Sequence, residues 1–159
     1  MHVFARTTLV VSLLALSGTA YAGPLEAAGA ALQHRDFATA LQLLRPLADQ
    51  GNAAAELYLG DMHYFGEGVP LDYAEAMKWF LLAAGQGSAP AQSNLGLIYE
   101  RGNGVPQDFV QAYKWYSIAA SQFASQNQKA ANNRDNLAAR MTQAQIDEAL
   151  RLAAEWKPQ

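Results

Sequence analysis

Gly66-Glu67-Gly68-Val69-Pro70-Leu71-Asp72-Tyr73 returns 36 positions later as Gly102-Asn103-Gly104-Val105-Pro106-Gln107-Asp108-Phe109. Glycine permits the left-handed backbone that ends a helix, and proline prevents the helix from continuing. Asp72 and Asp108 are then placed to restart the chain as N-caps, with Glu75 and Gln111 three residues on to complete capping boxes. The stretch predicts helix, turn, helix, twice over.

The repetition extends outward on both sides. Upstream, Ala55, Leu59 and Gly60 recur as Ala91, Leu95 and Gly96; downstream, Ala76, Lys78, Trp79, Ala83 and Ala84 recur as Ala112, Lys114, Trp115, Ala119 and Ala120, with Phe80 and Tyr116 as a conservative pair. In the second copy Ala91, Leu95, Gly96, Ile98 and Tyr99 share one helical face, while Asn94, Glu100 and Arg101 lie off it. The second helix of each unit alternates rings with alanines, so that helices approach at the alanines and interlock at the rings; Trp79 and Trp115 are expected in the core. A fixed period between about 20 and 50 residues is the signature of a solenoid, whose units bury their apolar faces on one another.

Weaker copies flank the two full ones. Asp36-Phe37, Ala40, Leu44, Ala48 and Gly51 precede their counterparts by the same shift, with Leu25 to His34 as a shortened partner helix. Ser125 to Arg140 is polar and asparagine-rich, and Thr142-Gln143-Ala144-Gln145 opens a last helix reaching about Trp156. The expected division is a leader over residues 1–22, a degenerate pair over 23–51, full repeats over 52–87 and 88–123, and a degenerate capping pair over 124–159, eight helices after the leader.

The leader reading rests on Arg6, the apolar run Leu9–Leu16 and the small-x-small site Ala20-Tyr21-Ala22, the parts of a secretory signal peptide cleaved after Ala22. The run is too short to span a bilayer, which takes about 20 apolar residues, so no stable membrane insertion is expected after cleavage. The chain has no cysteine, and an exported protein of this kind holds its fold without disulfides. A periplasmic or secreted location is expected. A net charge of -3 supplies no general basic field, which argues against nucleic acid as a partner.

Chemistry-bearing constellations are sparse. Past the leader the histidines are His34 and His63, without a third partner at metal-ligand spacing, so neither a metal nor a cofactor is expected. His63 stands where the second copy has Tyr99 and reads as a tyrosine substitute; Asp61, two residues away on a helix, does not face it. Glu67 and Glu100 near the turns read as solvated residues rather than as a hydrolase's carboxylate pair. The glycine turns lack the Gly-Lys-Ser/Thr of a phosphate cradle.

The motifs A-x-A-x-x-x-L-G, G-x-G-V-P-x-D-[YF], A-x-K-W-[FY] and A-A resemble the Sel-one-like repeat, a relative of the tetratricopeptide repeat. His63 in place of the pattern's tyrosine is one departure. The resemblance implies an all-α fold, a right-handed superhelix of stacked antiparallel helix pairs whose first helices line a concave groove. It further implies a non-enzymatic module binding a peptide or helix of a protein partner, as an adaptor or regulator in the cell envelope. Scaffold positions repeat whereas recognition positions are free to differ, which selects Tyr58, Asp61, Tyr64 and Phe65 with their counterparts Asn94, Leu97, Glu100 and Arg101 as candidate partner contacts. The alternative is a small hydrolase or ligand-binding protein directed at the cell wall. Nothing in the sequence sets the oligomeric state.

Overall fold

A computed structural model describes residues 23–122 and 128–158; the expected leader lies outside the described residues. Among them run eight helices and no strand: α1 (Pro24–Gln33), α2 (Phe37–Asp49), α3 (Ala53–Phe65), α4 (Tyr73–Gly85), α5 (Ala89–Arg101), α6 (Phe109–Ser121), α7 (Gln128–Ala138) and α8 (Gln143–Glu155). Within the first three pairs each helix packs on its partner, α2 and α4 also pack on the first helix of the following pair, and α6 packs on both α7 and α8. The all-helical solenoid expected from the repeat is what forms.

The glycine turns carry their conformation in two ways. Gly66 and Gly102 end α3 and α5 in the left-handed region, at φ 68° and 72°. Gly68 and Gly104, at φ 73° and 72°, also lie against the first ring of the preceding pair's second helix: a Cβ on Gly104 would sit 2.7 Å from Cβ of Tyr73, and one on Gly68 would collide with Phe37. Each turn is therefore a contact between neighbouring units as well as a chain reversal.

The capping boxes expected at the turns form only in half. Asp72 accepts from the backbone N–H of Ala74 and Glu75, and Asp108 from that of Gln111. The N–H that a reciprocal Glu75 or Gln111 would receive is already committed: Asp72 donates to the His63 carbonyl and Asp108 to that of Tyr99, each at 2.9 Å. Glu75 turns to Lys78 instead, at 2.7 Å. At Thr142 the backbone N–H donates to the Gln145 side chain instead, and the box is complete.

Inside each full repeat a ring lies directly on a glycine. A Cβ on Gly60 would come within 2.5 Å of the Phe80 ring, and one on Gly96 within 2.6 Å of the Tyr116 ring, both fully buried. Trp115 is buried and meets Trp156 edge to face at 5.8 Å, while Trp79 is half-buried against the N-terminal cluster around Leu44 and Leu59. A second repeated tie is polar. The Gln86 side chain donates to the buried Glu56 carboxylate (2.8 Å), and its counterpart Gln122 donates to the Gln92 side-chain oxygen (2.9 Å). The end of each second helix is thereby held to the start of its own first helix.

Candidate functional site

The eight selected residues occupy four repeat positions on α3 and α5, and three of these positions form one stripe. Tyr58, Asp61 and Phe65 follow at helical spacing along α3, and Asn94, Leu97 and Arg101 along α5. The two helices are tied to each other by the Asn94 amide, which donates to the Asp61 carboxylate at 2.9 Å. Phe65 is 62% exposed and Arg101 is exposed, whereas Tyr58 and Leu97 are half-buried with their inner edges on the core. Burial pushes the Asp61 carboxyl up to about 6, offset in part by the Asn94 hydrogen bond and the Lys129 charge, and assisted by Glu67.

The fourth position is different. Tyr64 is buried, its ring set edge to face on Tyr73 at 5.3 Å and its hydroxyl accepting from the Asn103 amide at 2.8 Å. Its counterpart Glu100 accepts from the Tyr116 hydroxyl at 2.8 Å and pairs with Arg140 at 3.2 Å. Tyr64 meets the following turn, and Glu100 bridges α6 of its own unit and Arg140 just past α7. They differ because their neighbours differ: one meets a glycine turn, the other the degenerate final pair. This packing buries Tyr64, selected as a partner contact, and commits Glu100 to hydrogen bonds within the fold.

The remaining polar candidates are dispersed. His63 is half-buried with Nδ1 unpartnered among the described residues, and the Asp61 carboxylate turns to Asn94. Glu67 lies 4.0 Å from Arg35, at the turn toward the preceding pair, and Glu100 is engaged as above. Among the described residues no group of three or more His, Cys, Asp or Glu is placed to hold a metal, and no helix is long and apolar enough to cross a membrane.

Two features escaped the sequence reading. The Gln86 and Gln122 ties had a visible signal, because that glutamine recurs at the same shift of 36 as the turn. Leu81 and Leu82, 43% and 52% exposed on α4, replace Ser117 and Ile118 of the next copy and so also differed between repeats.

The Sel1 repeat family matches residues 29–52, 53–88 and 89–122, together more than half of the chain. No curated protein matches the chain. Among solved structures it is similar to c5321, a protective antigen present in uropathogenic Escherichia coli strains displaying an SLR fold, at 29% identity and TM-score 0.74, covering 82% of this chain and 28% of that one. It is also similar to a Sel1 repeat protein from Oxalobacter formigenes, at 37% identity and TM-score 0.59, covering 64% of this chain and 40% of that one. The chain thus spans well under half the length of either. Three matched repeats, the stacked helix pairs and these structural neighbours agree, and the chain belongs to the Sel1 repeat family.

Proposed function

We propose that this chain is a non-enzymatic protein-binding module that receives a peptide or helix of a partner on the stripe formed by α3 and α5. One observation carries the reading. The residues shared by the two full repeats are largely consumed by core and turns, whereas Phe65 and Arg101, which differ between them, stand exposed at equivalent positions of the two first helices. An exposed aromatic ring and a guanidinium are the side chains that dominate binding energy at protein interfaces. Tyr58, Asp61, Asn94 and Leu97 complete the surface, and the half-buried Asp61–Asn94 pair gives it a fixed polar centre. The leader residues support export to the periplasm or beyond, and hence an envelope partner for an adaptor or regulator.

The test is affinity capture from an envelope extract with the full chain and with a Phe65→Ala, Arg101→Glu variant of equal circular dichroism. A protein retained by the first and lost by the second supports the reading. Retention of the same proteins by both removes the stripe from the interface.

A further inference from the structure

A second surface lies on the second helices. Between α4, α6 and α8 a hollow of about 620 Å3 is floored by Leu81, Leu82, Trp115 and Trp156 and flanked by Lys78 and Lys157. A neighbouring hollow of about 630 Å3, reached past Gln86 and Trp156, is walled by Ile118, Leu150 and Ala153. Each is of the size that takes a small ligand or several side chains, and the two adjoin, sharing Gln86 and Trp156 in their lining. The floor keeps apolar area in water: Leu81, Leu82 and Leu150 are 43%, 52% and 46% exposed.

The charge around this groove is one-sided. Among the described residues lining the two hollows, the charged ones are Lys78 and Lys157, both cationic, and Lys114 lies over the Trp115 ring at 4.6 Å. Carboxylates adjoin it too, and each is engaged: Glu155, between the lining residues Ala154 and Trp156, pairs with Arg151 at 2.6 Å. Glu75 holds Lys78 at 2.7 Å, and buried Glu56 lies behind Gln86 and accepts from its amide. Lys157 has no such neighbour among the described ion pairs, so the unpaired charge lining the two hollows is cationic in a chain that is acidic at -3 as a whole.

From this charge complementarity we propose that the second-helix groove is a docking site for an acidic amphipathic segment of a partner protein. Leucine-sized side chains of that segment enter the two hollows, and its carboxylates meet the unpaired Lys157. The site is separate from the α3–α5 stripe and does not depend on it.

Titration calorimetry of the full chain tests this with a short synthetic amphipathic peptide carrying two leucines one helical turn apart and glutamate elsewhere. Its counterpart has lysine in place of each glutamate. The acidic peptide binds, more weakly as salt is raised, and the lysine peptide does not. Leu82→Glu and Lys157→Glu, both at exposed positions, each weaken the acidic peptide about tenfold or more, while Phe65→Ala leaves it unchanged. Failure of the acidic peptide to bind, or equal binding of both peptides, overturns the proposal. So does self-association of the free chain that Leu82→Glu abolishes, which would assign the groove to a second copy.

Discussion

At Gly96 the absence of a side chain is what lets Tyr116 lie on the helix, and the consequence is measurable. Gly96→Ala puts a methyl group 2.6 Å from the ring and is expected to cost about 1–3 kcal/mol through overpacking. Gly29 is the control, since it lies inside α1 with nothing within 4 Å of an added Cβ; Gly29→Ala should gain about 0.5–1 kcal/mol from helix propensity alone. Denaturant titration of both variants checks the pair, and equal losses would contradict the ring-on-glycine account. Asp61 gives a prediction in pH. Its carboxyl ordinarily titrates at 3.8 and is raised to about 6 in the fold, so the fold favours the protonated form. That contribution is present below pH 4 and is lost as pH rises through 6, amounting to about 2–3 kcal/mol by pH 7. Asp61→Asn should remove this fall, gaining stability relative to the parent at pH 7 and little at pH 4, as read from urea titrations at the two pH values.

Each helix pair is held by ties that repeat and by ties that do not. Trp115 is 5% exposed, so Trp115→Ala should cost about 3–5 kcal/mol, and half-buried Trp79→Ala less, by thermal or chemical unfolding. Helix existence, turn position and N-cap identity were legible in the sequence because they depend on residues within one turn of each other. Thr142-Gln145 was read correctly for that reason. The boxes at Asp72 and Asp108 were not, because their N–H groups are taken by His63 and Tyr99, nine residues back across the turn. Likewise Tyr64 and Glu100 differ between copies just as Phe65 and Arg101 do. Sequence variation alone does not separate a position facing solvent from one facing an unlike neighbour. That distinction required knowing that Asn103 sits beside Tyr64 and Arg140 beside Glu100.

Across the whole molecule, two full repeats with a weaker copy on either side present an α3–α5 stripe and a second-helix groove on different layers. Stability in such a stack is shared between units and their joints, so the variants above should lower a common transition rather than melt one pair alone. A protein partner on the stripe is what all of this comes down to. The most direct measurement is site-specific photocrosslinking in envelope extract, with a benzophenone side chain replacing Phe65, Arg101 or, as control, the exposed Gln42 on α2. The account predicts one shared protein adduct from positions 65 and 101 and none from position 42. The same adduct from all three, or none from the stripe positions in a chain that still folds, would contradict it.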